Sequence, residues 1–235
     1  MYGASSDAPR KGPAPVCSGA VAPRVRTATP DDVPAIVALL DAAYGANPTF
    51  EARFRAYRSL EPEGWVVVEG GASQLVGVGG FVSFGTCAYL GLMAVPPEAQ
   101  RRGIGAAVFE EVLRRCDARG CTLLLLDASD AGAPLYEKYA FRDHGIAQAY
   151  SLEPRAFASD APPSIDVRPL DPTDARLEAE VARFDAVAYG ADRSSLVRHY
   201  SRSVERGRPV MRTFTVTETV TPAFRSVWIV RDPRP

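Results

Sequence analysis

The sequence has few of the residues that usually bind transition metals. It contains two histidines, His144 and His199, and four cysteines whose spacing matches no zinc or redox motif. This scarcity argues against a metal centre. Cys116 and Cys121 fall where a helix is expected to end and a strand to begin, so we expect reduced structural thiols and a cytosolic (cytoplasmic) protein.

A long apolar run and a large net charge are also missing. No apolar stretch approaches the ~20 residues that cross a bilayer, and residues 1–24 lack the continuous apolar core that export requires. The formal net charge is −1, which argues against a protein built to neutralise nucleic-acid phosphates. We therefore expect no membrane and no nucleic-acid partner. The Pro, Gly, Ala and Ser content of residues 1–24 predicts a flexible leader.

The hydrophobic pattern predicts a mixed α/β domain over residues 25–152, with the element order β-α-α-β-β-β-α-β-α-β. The first helix is expected from an apolar stripe at Ile36, Leu39, Leu40 and Ala43, and the second at Phe50–Ser59. Glu69-Gly70-Gly71 divides two apolar runs, which is typical of an antiparallel hairpin. The fold class is thus α/β with a mixed, α+β type sheet.

In the second half of this domain, the sequence pattern predicts one helix and one strand clearly. Gly105–Arg119 is amphipathic, with Val108, Val112 and Leu113 on the inward face. The run "CTLLLLDAS" that follows predicts a strand buried on both faces.

After a linker at residues 153–164, the chain starts a pattern similar to its beginning. The block Ala-Tyr-Gly-Ala occurs at residues 43–46 and again at 188–191, each time at the end of an apolar-periodic segment that follows a Val-Arg pair and a Pro/Asp turn. This predicts an internal repeat, although two helices that merely end alike would give the same block. The second copy, residues 165–235, stops early and has no glycine-rich turn, so we expect a truncated second half.

The segment "QRRGIG", residues 100–105, is poorly suited to a packed core. It follows an apolar strand and two prolines and leads into the amphipathic helix. Glycines at 103 and 105 allow close approach of a ligand to the backbone, and free N–H groups in the first turn of a helix bind anions. A pyrophosphate is the expected ligand. The sequence has neither the Gly-Lys-Ser/Thr of a Walker loop nor a Gly-x-Gly-x-x-Gly after the first strand.

These residues resemble the GCN5-related N-acetyltransferases (GNAT). "QRRGIG" fits the family's Gln/Arg-x-x-Gly-x-Gly/Ala signature, and "LYEKYAF" from Leu135 is similar to its Leu-Tyr-Glu-Lys-x-Gly-Phe segment, with Ala140 in place of glycine. The element order is similar across about 125 residues. The segments "AYLGLMAV" and "LDASDAGAPLY" look like a subgroup with a second, degenerate acetyltransferase-like half.

The resemblance implies acetyl-CoA as the co-substrate and assigns residues to it. Strand backbone at Met93, Ala94 and Val95 would pair with the pantetheine arm. The pyrophosphate would be held by the loop that Gln100 opens and by the backbone amides of Arg101, Arg102, Gly103, Ile104, Gly105 and Ala106. By the same analogy, the acceptor would lie between residues 44–57 and 81–89.

The resemblance also implies that Tyr136 protonates the departing CoA thiolate, a role suited to a phenol that is protonated at neutral pH; a core tyrosine is the structural alternative. The general base stays open between Asp127, Asp130, Glu98 and a water relay. Asp127 is also placed to cap the next helix. At the position of Asp130 many relatives have an asparagine that contacts the cofactor.

Two functions follow from these residues. The first is an N-acetyltransferase that moves acetyl from acetyl-CoA to a primary amine of a small molecule, an amino-acid-like compound or a peptide, by direct attack in a ternary complex. The second is a catalytically weak acyl-CoA sensor or scaffold, which the early end of the second copy would favour.

Overall fold

The fold is a mixed β-sheet with helices on both faces. A computed structural model describes residues 24–71, 74–150, 171, 173–202, 204–205, 208–209 and 222–231. Its strands are β1 Arg24–Thr27, β2 Trp65–Glu69, β3 Leu75–Phe84, β4 Cys87–Ala94, β5 Leu123–Ala128, β6 Arg142–Tyr150, β7 Val204–Glu205, β8 Arg208–Pro209 and β9 Pro222–Arg231. Its helices are α1 Val33–Tyr44, α2 Phe50–Leu60, α3 Ile104–Ala118, α4 Ala133–Glu137, α5 Ala175–Tyr189 and α6 Ser194–Arg202.

Seven of these strands form one sheet in the order β1-β2-β3-β4-β5-β9-β6, and β7 and β8 form a separate two-stranded pair. Neighbouring strands are antiparallel except β4 and β5, which run parallel. The mixed sheet that the sequence predicted is confirmed.

Strand β9 was not expected from the sequence. It pairs antiparallel with β5, where Leu126 faces Ile229, and with β6, where Ile146 faces Val227. Residues 222–231 therefore belong to the first-half sheet, although they lie in the segment predicted as a separate second half. The predicted linker at 153–164 and leader at 1–24 fall outside the described residues, apart from Arg24 in β1.

The sheet separates two hydrophobic layers because successive strand residues point to opposite faces. Val66 and Val68 pack with Val108 and Phe109 of α3 on one face. Val67 packs on the other face with Ile36 of α1 and Phe54 of α2. The first four strands thus have α3 packed on one face and α1 and α2 packed on the other.

Several helix predictions are confirmed in detail. The first helix buries Ile36, Leu39 and Leu40, with Ala43 packed against the same cluster. The helix expected at Gly105–Arg119 spans Ile104–Ala118 and buries Val108, Val112 and Leu113. The hairpin divided at Glu69-Gly70-Gly71 is β2–β3.

The prediction that the "CTLLLLDAS" strand is buried on both faces is wrong. In β5 the side chains of Leu124, Leu126 and Ala128 are buried, whereas those of Leu123 and Leu125 are only partly buried and that of Asp127 is exposed. At the end of the strand, the reason is that Asp127 borders two open cavities. None of the helices in the described part of the chain combines the length and the apolar character needed to cross a membrane.

Candidate active site

A cavity opens where β4 and β5 stop pairing. The parallel ladder runs from Cys87–Leu123 to Leu90–Leu126, and beyond it the two strands separate. The resulting cavity has a volume of about 400 Å³. Its walls include Gly91, Leu92 and Met93 of β4, Leu126, Asp127 and Ser129 at the end of β5, Tyr136 of α4, and Tyr44, Asn47, Phe50 and Arg53 from the α1–α2 region.

The β4 wall contains a β-bulge. Val78 of β3 faces Ala94, but Gly80 faces Gly91, so β4 has one more residue than β3 in this interval. The extra residue is accommodated at Leu92, which has a φ of +50°. A left-handed conformation at a residue other than glycine costs about 1–3 kcal/mol and is typical of functional sites. The bulge turns the backbone of Leu92 and Met93 toward the cavity side.

Two side chains fix the strand backbone that leads out of the bulge. The hydroxyl of Tyr44 donates to the carbonyl oxygen of Met93. The Gln100 Nε2 donates to the carbonyl oxygen of Val95 over 3.0 Å. Gln100 thus ties the end of β4 to the loop that follows it, and this is the structural reason for an amide side chain at the start of "QRRGIG".

The loop ends in an uncapped helix. Gly103 is the N-cap of α3, with a φ of +82° and no side-chain hydrogen bond to the first turn. Arg101 also has a positive φ, +58°. A Cβ placed on Gly103 would have no atom within 4 Å, so the space in front of the loop is open. The first-turn N–H groups of α3 thus have no side-chain cap, and the exposed Arg101 and Arg102 directly precede Gly103.

Gly105 lies one residue inside α3 and is half-buried, and a Cβ there would make ordinary contacts with Leu135 and Val95. Ile104 beside it is buried in the core, and Ala106 is half-buried. The loop is therefore anchored by Ile104, while Gly103 in front of it is exposed.

Tyr136 is held in an aromatic cluster on the wall of the cavity. Its ring centroid lies 4.9 Å from that of Phe109 and 6.3 Å from that of Phe141. Only 7% of the residue is exposed, and this burial raises the pKa of the phenol well above its ordinary value of 10. The hydroxyl therefore keeps its proton throughout the physiological pH range.

The three acidic base candidates lie in different places. Asp127 lines the cavity, and its Oδ2 accepts a 2.8 Å hydrogen bond from the Tyr89 hydroxyl. Burial, together with the negative charge of Asp127, raises the pKa of Tyr89, which therefore remains a hydrogen-bond donor. Asp130 is exposed and does not line the cavity, and Glu98 lines a different groove beside Leu39 of α1.

Residues 33–141 match the model of the Acetyltransferase (GNAT) family. This segment contains the split between β4 and β5, the loop before α3, and Tyr136. Residues 33–141 form a GNAT acetyltransferase domain.

The relatives of the GNAT domain come from distant organisms. An uncharacterized N-acetyltransferase of Bacillus subtilis, YitH, is 28% identical over 130 residues, which are 51% of this chain and 40% of that protein. The crystal structure of an acetyltransferase candidate from Pyrococcus horikoshii is 28% identical with a TM-score of 0.67, covering 82% of this chain and 65% of that one. The Ard1 structure from Thermoplasma volcanium shares the fold, with 23% identity, a TM-score of 0.50, and coverage of 54% of this chain and 86% of that one.

The structure brings only some of the predicted site residues into the cavity. Met93 and Tyr136 both line it, and the segment from Val95 to Gly105 leads from its edge to the start of α3. Tyr89 and Arg53 fall in the segments expected to form the acceptor side, but neither was singled out from the sequence. Their roles depend on how α2 and the split strands meet, which no local pattern contains.

Proposed function

We propose that the protein is an acetyl-CoA-dependent N-acetyltransferase that acetylates a primary amine of a small molecule or an amino-acid-like acceptor. The observation that carries the proposal is the cavity at the split between β4 and β5, which has a buried phenol, Tyr136, on one wall and a carboxylate, Asp127, on another. The family of the domain and the uncapped start of α3 support the same function.

The residues present fit acetyl-CoA. The backbone amides of the loop and of the first turn of α3, from Arg101 to Ala106, would hold the pyrophosphate, since the helix start has no side-chain cap and Gly103 borders open space. Residues 91–94 of β4 have no β5 partner among the described residues, so Met93, Ala94 and Val95 can present backbone groups to the amides of the pantetheine arm.

Acetyl-CoA supplies the acetyl group as a thioester, whose carbonyl carbon bonds to the amine nitrogen while the C–S bond breaks. Tyr136, a phenol that is protonated at neutral pH, gives its proton to the departing sulfur. The backbone N–H groups of the Leu92–Met93 bulge, on the cavity wall, would stabilise negative charge on the carbonyl oxygen. Of the cysteines in the described part of the chain, all are buried and none lines the cavity, which favours direct transfer.

Asp127 is the residue that we propose to accept the proton from the amine. It is the one of the three acidic candidates that lines the cavity. Tyr89 donates to Oδ2 and leaves Oδ1 available to the acceptor. Arg53, an exposed cation on the same cavity wall, would bind a carboxylate next to the amine, which supports an amino-acid-like acceptor.

A steady-state assay of CoA release with acetyl-CoA and a panel of primary amines tests the proposal. The Tyr136→Phe variant is expected to lower kcat by about 10²-fold or more, the usual contribution of a general acid, without changing the KM for acetyl-CoA. A protein that binds acetyl-CoA but releases no CoA with any amine, and is indifferent to Tyr136→Phe, would instead be the sensor.

A duplication of the helical pair is a further part of the proposal. Both α1 and α5 end at the tyrosine of a Tyr-Gly-Ala sequence. Gly45 and Gly190 both have a positive φ, +87° and +83°, but their ψ angles of 153° and 11° differ. A short second helix follows each of them. The shared sequence and the helix order support α5–α6 as a degenerate copy of α1–α2, although two helices that merely end in the same residues would give the same block.

A further inference from the structure

A second cavity adjoins the first on the side of the C-terminal helices. Its volume is about 200 Å³. Tyr57 of α2, Phe84 of β3, and Tyr189 and Leu196 from α5–α6 are among its walls. It shares Tyr89 and Asp127 with the first cavity, so the hydrogen-bonded pair forms the boundary between the two spaces.

The wall from α5–α6 is packed firmly against the GNAT domain. Tyr189 and Leu196 pack on the same hydrophobic cluster as α1 and α2. The ring of Tyr189 meets that of Phe84 edge-on, with centroids 6.1 Å apart and an interplanar angle of 82°. Residues 175–202 lie beyond the matched GNAT segment, so this wall is an addition by the chain rather than part of the domain.

Among the described residues that line this cavity, the one cation is Arg193, and its charge is already compensated. Arg193 donates to both carboxylate oxygens of Asp185, with distances of 2.9 Å and 2.5 Å. Its guanidinium also lies 3.7 Å from the centre of the Tyr189 ring. Arg193 therefore holds the aromatic wall in place and is a poor partner for an anion.

The remaining chemistry is that of a ring-sized pocket with a carboxylate at its inner end. Aromatic and apolar side chains line the body of the cavity, and the Oδ1 of Asp127 remains available to a ligand. A dry cavity of about 150 Å³ binds benzene, so one of about 200 Å³ holds a single six-membered ring and a short linker. A polyamine would place further ammonium groups against an apolar wall at a desolvation cost.

We infer that this second cavity is the side-chain pocket of the acceptor, and that the acceptor is a primary amine with an aromatic or branched apolar body. Its ring occupies the space between Tyr57, Phe84 and Leu196, while its ammonium lies at Asp127 and faces the first cavity. The inference rests on the proposed acetyltransferase function and names its substrate class. Residues of α5–α6 are positioning and specificity residues in it and do not touch the acetyl group.

The test compares 2-phenylethylamine, ethylamine and spermidine as acceptors in the full-length protein. We expect kcat/KM for 2-phenylethylamine to exceed that for ethylamine and for spermidine by at least tenfold. Leu196→Trp, which fills the pocket, should remove this preference by raising the KM for 2-phenylethylamine while leaving the KM for acetyl-CoA unchanged. Val187→Trp is the matched control, because Val187 lies on α5 with 86% of its surface exposed.

A second variant and a binding measurement keep the outcomes distinct. Leu196→Ala should enlarge the pocket and shift the preference toward tryptamine, which protects the test if Leu196→Trp does not fold. Calorimetry with 2-phenylethylamine should show binding that Leu196→Trp abolishes. Binding without CoA release would reject the acetyltransferase and keep the pocket. Equal kcat/KM for all three amines, or no binding of 2-phenylethylamine, would overturn the pocket and leave the acetyltransferase standing.

Discussion

The Tyr89 hydroxyl donates a 2.8 Å hydrogen bond to Oδ2 of Asp127. Tyr89 is paired in register with Leu125 of β5, and Asp127 lies two residues further along the same face. The bond therefore spans the two strands just where their backbone ladder ends. It orients the only carboxylate that both described cavities share.

Removing the Tyr89 hydroxyl should impair only the use of the amine substrate and not the binding of acetyl-CoA. In Tyr89→Phe, Asp127 loses its orienting hydrogen bond, which is worth about 1–2 kcal/mol, so kcat/KM for the amine should fall roughly 5- to 30-fold. The KM for acetyl-CoA should not change. Tyr139→Phe is the matched control, since the Tyr139 hydroxyl donates to Glu110 at 2.7 Å outside the cavity. Equal losses in both variants would contradict the role of Asp127.

A side chain at Gly103 should block the phosphate-binding loop. Gly103→Glu puts bulk and negative charge in front of the first-turn amides of α3, and acetyl-CoA affinity should fall at least tenfold, or about 1.4 kcal/mol, by calorimetry. Gly120→Glu is the control for backbone strain, because Gly120 also has a positive φ, +73°, and open space, but lies at the other end of α3. If both variants fold and both bind acetyl-CoA as tightly as the parent, the loop does not hold phosphates.

The protein should be more stable with glycine in place of Ala140. Ala140 has a φ of +64°, a left-handed conformation that costs an alanine about 1–2 kcal/mol. Part of this gain is offset by the greater freedom of glycine in the unfolded chain. We expect Ala140→Gly to raise the free energy of unfolding by about 0.5–1 kcal/mol in urea titrations. Ala38→Gly, inside α1, should instead lower it by about 1 kcal/mol. A loss of stability in Ala140→Gly would show that this conformation carries no strain.

The start of the GNAT domain should show acid-dependent stability. Asp32 accepts hydrogen bonds from Arg26, at 2.7 Å to each oxygen, and this contact is the main reason that its pKa lies well below the ordinary 3.8. A lowered pKa means that the contribution is complete above the unfolded-state pKa and is lost as the pH falls below it.

In Asp32→Asn, we therefore expect a loss of about 1–2 kcal/mol at pH 7, the scale of a lost capping contact. The difference from the parent should shrink as the pH falls below about 4, because the unfolded parent then binds a proton at Asp32 that the folded parent, with its lowered pKa, does not. Thermal melts from pH 3 to pH 7 measure this, with Asp31→Asn at the exposed neighbour as the control. A difference that does not vary with pH would contradict the ion-pair origin.

Local signals in the sequence were enough to predict most of the fold. The α3 face at Val108, Val112 and Leu113 follows from the 3.6-residue period, and the loop at Gly103 follows from the glycines that a positive φ requires. The aromatic surroundings of Tyr136 could not be derived in this way, because Phe109 and Phe141 reach it from different elements.

The acceptor side could not be predicted for a related reason. Asp127 was expected at the end of a strand, as a candidate base or as a helix cap. Its hydrogen-bond partner Tyr89 could not be predicted, because it lies 38 positions earlier in the chain. Tyr189 and Leu196 were seen only as part of a repeat, since nothing local indicates that α5–α6 reaches the sheet. Strand β9 was missed for the same reason, because its partners are β5 and β6 rather than a neighbouring hairpin.

The sheet order also determines when the site can be completed during synthesis. In the described sheet, β6 pairs only with β9, and β9 is also the second neighbour of β5. While residues 222–231 are still inside the ribosome, the nascent chain therefore exposes unpaired edges on both β5 and β6. Such edges recruit other strands and promote aggregation. Asp127 gains its register partner on β9 only when residues 222–231 have emerged, so a partly synthesised chain leaves this edge of the acceptor site uncovered.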